Sequence, residues 1–203
     1  MTREAQQNMT PDQDLAALKA GNERLVKRKM LQRDLVAQVH ATAAGQFPFA
    51  VVLGCIDSRV PPELVFDQGI GDIFSPRIAG NFANTDIIGS IEFATKLAGA
   101  KLSVVLGHTE CGAVKGAFEN AELGNLTTTL SMIMPGVYAV DEVKKNRDSN
   151  NAALVQAVAE KNFHLTVKMM QNRSAVLRGL IETKDLKIVG ALHDVGTGKV
   201  SWL

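Results

Sequence analysis

The sequence predicts an α/β fold, in which a mostly parallel central β-sheet is flanked by helices and preceded by an N-terminal helical extension. Two observations predict it. Short runs of apolar, β-prone residues alternate with helical patterns between residues 49 and 120, as in parallel sheets covered on both faces. The length of 203 residues, 46% of them apolar, suits one well-filled domain. Because no repeat or linker divides the chain, residues 1–203 are expected to form that single domain.

The first 43 residues are predicted to be a short disordered segment followed by helices. We expect residues 1–10 to be disordered. Thr10-Pro11-Asp12 indicates a helix start, with threonine as N-cap and proline at the first helical position. Helices are expected over residues 11–43, with interruptions near Gly21 and around residues 28–33. Since these helices have no sheet of their own to cover, we expect them to pack on a partner subunit.

The later elements follow from the spacing of apolar residues. The predicted strands are 49–53, 72–78 and 102–106, and the predicted helices are 61–68, 85–98 and 113–120. A largely helical stretch is expected over residues 126–183, broken near Pro135 and around residues 145–151. Residues 186–203 are expected to form a hairpin around Gly196-Thr-Gly198. The helix from about Ala152 to Ile181 is apolar on more than one side, which favours contact with a second copy.

Charge and hydropathy exclude several classes of partner. Lys and Arg number 22 against 21 Asp and Glu, and no basic stripe stands out, so neither a nucleic acid nor a membrane is an expected partner. The first ten residues contain no apolar core of a signal peptide. The longest charge-free stretch, residues 123–140, is interrupted by Gly, Pro, Asn and Thr and does not predict a membrane span. We therefore expect a cytoplasmic protein, or a periplasmic one if a leader peptide has been removed.

Two short clusters contain both cysteines of the chain: Cys55-Ile-Asp57-Ser-Arg59 and His108-Thr-Glu-Cys111. Each cluster follows a predicted strand, and ligands of parallel sheets bind beyond the carboxyl ends of the strands. Two thiolates and an imidazole are ligands that Zn²⁺ prefers, and three protein ligands leave the open position of a catalytic zinc. The alternatives are a disulfide or two buried free thiols, neither of which needs the neighbouring Asp, Arg and His.

Asp57 and Arg59 are predicted to act beside this metal. Asp57 lies two residues beyond Cys55, and Arg59 is spaced to form a bidentate, charge-assisted pair with it. Such a pair would keep Asp57 ionised and direct one carboxylate oxygen at the open metal position. The alternative is a surface ion pair of little energetic value.

Taken together, the motifs resemble the signature of the β-class carbonic anhydrases from about Pro11 to the end of the chain. The segments that carry the resemblance are Cys55-x-Asp57-x-Arg59, His108-x-x-Cys111-Gly112, Ala17-x-x-x-Gly21-Asn-x-Arg24, Gln46-x-Pro48, Gly71-Asp-x-Phe74, Arg77-x-Ala-Gly-Asn81 and Gly190-Ala-x-x-x-Asp194-Val. The resemblance implies reversible hydration of CO₂ to bicarbonate and a proton. In that reaction a zinc-bound hydroxide is the nucleophile, and the Asp57–Arg59 pair orients it.

The resemblance also implies a substrate pocket and an oligomer. The pocket residues it implies are Gln46, Phe74, Ala79, Phe93 and Gly112. In the family these groups come from both subunits of a dimer, so we expect a homodimer or a dimer of dimers.

Three positions depart from the family pattern. Some relatives close the site by moving the aspartate onto zinc, and this switch is associated with a Trp three residues before the first cysteine. Val52 occupies that position here, so we expect an open site with Asp57 paired to Arg59. Phe93 replaces a common Tyr, and Ile78 replaces a common Asn.

Two other functions remain open from the sequence alone. One is a catalytically silent, zinc-binding oligomeric module on the same fold, against which the intact Asp57–Arg59 pair argues. The other is a related hydrolase of a CO₂-like molecule such as carbon disulfide, which can share every metal ligand.

Overall fold

A five-stranded sheet forms the centre of the molecule in the computed structural model, which describes residues 1–141 and 146–203. The strands are β1 (Ala50–Leu53), β2 (Ile73–Phe74), β3 (Leu102–His108), β4 (Lys187–His193) and β5 (Val200–Trp202), in the spatial order β2-β1-β3-β4-β5. All neighbours run parallel except β4 and β5, which form the antiparallel hairpin. The predicted fold class is confirmed.

Helices cover both faces of this sheet. They are α1 (Arg3–Asn8), α2 (Pro11–Val26), α3 (Leu35–Thr42), α4 (Pro62–Val65), α5 (Thr85–Glu92), α6 (Gly112–Phe118), α7 (Gly124–Ser131), α8 (Met134–Tyr138), α9 (Ala152–Arg173) and α10 (Ala175–Glu182). A π-helical turn, Phe93–Leu97, continues α5. Strand residues alternate between two apolar clusters, one under α2 and the other under α9. None of the described helices has the length and apolarity needed to cross a membrane.

The N-terminal ten residues differ from the prediction of disorder, because residues 3–8 form helix α1. The Thr2 side chain accepts a hydrogen bond from the amide of Ala5 and caps this helix. Gln6 is buried, and its amide donates to the carbonyls of Pro48 at 2.7 Å and Ala98 at 2.8 Å. These long-range bonds hold a helix that would be too short to persist alone.

Helix α2 continues through Gly21, so the predicted interruption there is wrong. A Cβ at Gly21 would lie 1.8 Å from the carbonyl oxygen of Phe66, which means that this glycine permits close packing rather than ending the helix. Leu18 is fully buried in the apolar cluster beneath α2. Helix α2 therefore does cover its own sheet, contrary to the expectation that residues 11–43 had none to cover.

The long helical stretch is divided near Pro135 as the sequence indicates, but it has a further break at Ser174, within the predicted helix from about Ala152 to Ile181. Pro135 lies in the first turn of α8, where its missing N–H is tolerated. Residues 146–151 contain no helix, and the rest of that predicted break, residue 145, lies outside the described residues. Ser174 ends α9 and caps α10 through its hydroxyl, which accepts from the amide of Leu177 at 3.0 Å.

Candidate metal centre

The three predicted metal ligands meet at the carboxyl ends of two neighbouring strands. Cys55 follows β1, His108 is the last residue of β3, and Cys111 is the N-cap of α6. Because β1 and β3 are parallel neighbours, their ends lie side by side. The ligand atoms all lie within 4.8 Å of one another, and the three residues are 4%, 1% and 1% exposed.

The orientation of His108 fits a metal ligand. Its Nδ1 lies 2.9 Å from the carbonyl oxygen of Thr109, which fixes the tautomer with the proton on Nδ1. The buried Nε2 has no hydrogen-bond partner among the described residues. An unpartnered buried nitrogen beside two sulfurs is the arrangement a metal-binding imidazole requires, with the other ring nitrogen held by a carbonyl.

Cys55 and Cys111 are free thiols, not a disulfide. Hydrogen bonding with the neighbouring Cys111 thiol is the main influence that lowers the pKa of Cys55 below its usual value. The same interaction raises the pKa of Cys111, because a thiol that donates to Cys55 is favoured in its protonated form, and burial and repulsion from a Cys55 thiolate raise it further. A divalent cation between the sulfurs removes this repulsion, because coordination deprotonates a thiol outright. This donor set suits a soft or borderline metal ion.

Asp57 lies at the edge of the ligand cluster and is paired with Arg59. Its carboxylate accepts from Nε of Arg59 at 2.9 Å and from a terminal guanidinium nitrogen at 2.8 Å. The hydrogen bond with this side chain is the main reason that the pKa of Asp57 is well below its usual value. One carboxylate oxygen is 4.0 Å from Nε2 of His108. The pair therefore presents an ionised acceptor to the space beside the ligands.

A loop after β2 supports the Cys55–Asp57 segment from behind. Arg77 donates to the carbonyl of Cys55 at 2.7 Å and to that of Asp57 at 2.5 Å. The amide of Gly80 donates to the sulfur of Cys55 at 3.4 Å. The sequence motif contains both residues, but their spacing gave no indication of these contacts.

The ligand cluster opens into an apolar cleft with a volume of about 310 Å³. Ala79 and Gly112, both predicted for the substrate pocket, line this cleft together with Asp57. Leu126 and Leu130 of α7 also line it. Sequence reasoning missed these two leucines because nothing in a helical apolar pattern distinguishes a core leucine from one at a site.

The other three predicted pocket residues lie elsewhere on the chain. Phe74 and Phe93 make an edge-to-face contact with centroids 6.3 Å apart and line a second cleft beside α5. Gln46 lines a third cleft together with Arg3 and Phe47. Within one chain the structure thus brings together the ligands, Asp57, Arg59, Ala79 and Gly112, but not Gln46, Phe74 or Phe93.

Comparisons with known proteins identify close similarities over most of the chain. Residues 50–200 match the family model described as carbonic anhydrase. Carbonic anhydrase 2 of Mycobacterium tuberculosis is 36% identical over 199 residues, which is 95% of this chain and 92% of that relative. A tetrameric β-carbonic anhydrase of Sordaria macrospora is 27% identical with a TM-score of 0.71, covering 83% of this chain and 90% of that one. A β-carbonic anhydrase of Aspergillus fumigatus is also 27% identical with a TM-score of 0.72, covering 93% and 89%.

Proposed function

The chain belongs to the carbonic anhydrase family, in its β class, and on that premise we propose that it hydrates CO₂ at a zinc ion held by Cys55, His108 and Cys111. The products are bicarbonate and a proton. The observation that carries the proposal is the buried Cys-His-Cys cluster, which opens into an apolar cleft with one ionised carboxylate at its edge. An apolar cleft suits an uncharged, linear substrate, and a thiolate-rich donor set suits zinc.

The residues around the cluster have distinct roles in this reaction. When bound, zinc supplies Lewis acidity and lowers the pKa of water towards neutrality. Asp57 would accept a hydrogen bond from the nucleophilic hydroxyl group and so help to direct that oxygen towards CO₂ in the cleft. Arg59 keeps Asp57 ionised and fixes its orientation through the bidentate pair. Ala79 and Gly112 line the part of the cleft that CO₂ would occupy.

We further propose that the active form is a homodimer or a dimer of dimers. Phe93 is 52% exposed on one chain, and a Cβ at the nearby Gly89 would have nothing within 4 Å. An aromatic side chain this exposed beside an open apolar cleft is typical of a contact surface. A second subunit would cover this surface and bring Gln46, Phe74 and Phe93 to the sites. The tetrameric relative from Sordaria macrospora supports this proposal.

The test combines metal analysis with stopped-flow measurement of CO₂ hydration. We expect one zinc per chain, loss of hydration on removal of the metal, and recovery when zinc is returned. Cys55→Ser should lower both zinc content and activity, because a serine hydroxyl is a much poorer ligand than a thiolate.

Three outcomes would contradict the proposal in different ways. Full activity after removal of all metal would exclude a metal-dependent reaction. Bound zinc without hydration would favour the catalytically silent module. Hydrolysis of carbon disulfide without hydration of CO₂ would favour the related hydrolase.

A further inference from the structure

A tight turn directs a backbone amide at one metal-binding sulfur. The amide of Asn81 donates to the carbonyl of Ile78 at 2.9 Å, so residues 78–81 form a turn with Gly80 in its third position. Gly80 has φ of 78°, as the third residue of a type II turn requires. A Cβ at Gly80 would lie 2.4 Å from Cδ1 of Ile133. The turn therefore needs glycine, and the N–H of this glycine is the one that donates to Cys55.

A side chain from a distant helix anchors this turn. Asn162 lies on α9 and is 3% exposed. Its amide nitrogen donates to the carbonyl oxygen of Gly80 at 2.7 Å, across 82 positions of sequence. Leu154 and Val158 of α9 are fully buried in the apolar cluster beneath this helix. Asn162 is therefore attached to a helix whose apolar side chains are packed in the core.

We infer that Asn162 is a positioning residue for the metal centre. It holds the 78–81 turn at the distance from which the Gly80 amide donates to the Cys55 sulfur. A hydrogen bond to a metal-bound thiolate withdraws electron density from the sulfur and fixes its direction, and partners of this kind tune metal affinity. The inference rests on the proposed function only in requiring that a metal ion bind at Cys55, His108 and Cys111.

The ordinary role of a buried asparagine is to satisfy a buried carbonyl, and that role makes a different prediction. If Asn162 only satisfied the Gly80 carbonyl, its loss would lower the stability of the fold and leave the bound metal unchanged. If Asn162 positions the turn, its loss also changes the electron density and the orientation of the Cys55 sulfur. Metal affinity and the spectrum of a thiolate-bound metal distinguish the two roles, because neither depends on global stability in a folded sample.

The test uses Asn162→Leu, which has a similar volume and no donor. The matched control is Thr166→Val, which removes a buried hydroxyl one turn further along α9. Zinc affinity is measured by competition with a chelator, and the cobalt(II)-substituted proteins are compared by absorption spectroscopy.

For Asn162→Leu we expect zinc affinity to fall about tenfold or more. We also expect the thiolate-to-cobalt charge-transfer band to move to longer wavelength, since the sulfur is more electron-rich without its N–H donor. Thr166→Val should keep both properties of the wild type.

A folded Asn162→Leu protein with wild-type zinc affinity and an unchanged cobalt spectrum would overturn the inference. So would equal changes in Thr166→Val, because they would reflect a general effect on α9. If the leucine variant does not fold, Asn162→Ala carries the same test with a smaller side chain that cannot overpack the core. None of these measurements uses CO₂. A protein that binds metal as expected but does not hydrate CO₂ would therefore contradict the proposed function and leave this inference intact.

Discussion

The carboxylate of Asp57 accepts three hydrogen bonds from Arg59. Arg59 donates to it from the backbone amide, from Nε and from a terminal guanidinium nitrogen, at 2.9, 2.9 and 2.8 Å. The arginine side chain is itself half exposed, where an ordinary ion pair would contribute little to stability. The bidentate geometry therefore matters for the orientation of the carboxylate rather than for the stability of the fold.

The first prediction concerns this orientation. Asp57→Asn keeps the size of the side chain but replaces one acceptor oxygen with a donor and leaves Arg59 without a charged partner. We expect kcat for CO₂ hydration to fall about 100-fold, within the range typical of a lost acid–base or orienting group, with zinc content unchanged. Stopped-flow kinetics and metal analysis of the same samples check both expectations.

Glu110→Gln is the matched control for that variant. It removes one carboxylate from the same rim, where Glu110 forms an ion pair with Lys115, and it leaves the Asp57–Arg59 hydrogen bonds in place. Activity close to wild type is expected. A similar loss in both variants would mean that negative charge at the rim matters and the orientation of Asp57 does not.

Among the secondary-structure elements, α2 has an unusual feature on its buried face. Asp14 is 1% exposed, and neither carboxylate oxygen has a hydrogen-bond partner among the described residues. Burial is the main cause that raises the pKa of Asp14 to about 7, while the nearby ammonium of Lys101 acts in the opposite direction. That ammonium donates to the carbonyls of Gln7 and Met9. Lys187, at the start of β4, is paired with Asp12.

The second prediction is a pH dependence of stability caused by Asp14. Its pKa is higher in the folded chain than in the unfolded one, so its contribution is most favourable below about pH 4 and is lost as the pH rises to about 7. Asp14→Asn should therefore unfold most like wild type near pH 4 and become progressively more stable than wild type as the pH rises to 8. Between pH 5 and 7 the free energy of unfolding of wild type should fall by about 2–3 kcal/mol relative to that of Asp14→Asn. Urea unfolding of both proteins at one protein concentration measures it, and parallel pH profiles would refute it.

The same helices indicate how far sequence reasoning extends. The first residue of α2 was predicted correctly, because an N-cap threonine and a proline at the first helical position, Thr10 and Pro11, are local signals of a helix start. The ligands and Asp57 were predicted because strand ends and short motifs place them within a few residues of one another. The need for glycine at position 21 comes from its close approach to Phe66, and the contact of Asn162 with Gly80 depends on the packing of α9. Contacts between positions so distant in sequence leave no local pattern from which to predict them.

At the scale of the whole molecule, α3 presents an exposed apolar surface. This eight-residue helix has no buried residue, and Leu35, Val36 and Val39 are 54%, 67% and 51% exposed. A helix this short is marginal in water and needs an apolar face packed against something else. The sequence predicted that the N-terminal helices pack on a partner subunit, and α3 is the part of that region for which a partner is still needed.

The last prediction follows from this surface and from the proposed oligomer. Val36→Glu introduces a charge into the exposed apolar face of α3, where burial against a second subunit would require its desolvation. We expect the variant to dissociate at concentrations where wild type is associated, as measured by analytical ultracentrifugation. Hydration activity per bound zinc should fall as the oligomer dissociates, because Gln46, Phe74 and Phe93 do not reach the metal cluster of their own chain.

Ala20→Glu is the control: it adds the same charge to an exposed position of α2 and should leave association and activity unchanged. A monomeric Val36→Glu protein with full activity per zinc would mean that one chain holds a complete site, and an associated variant would exclude α3 from the interface.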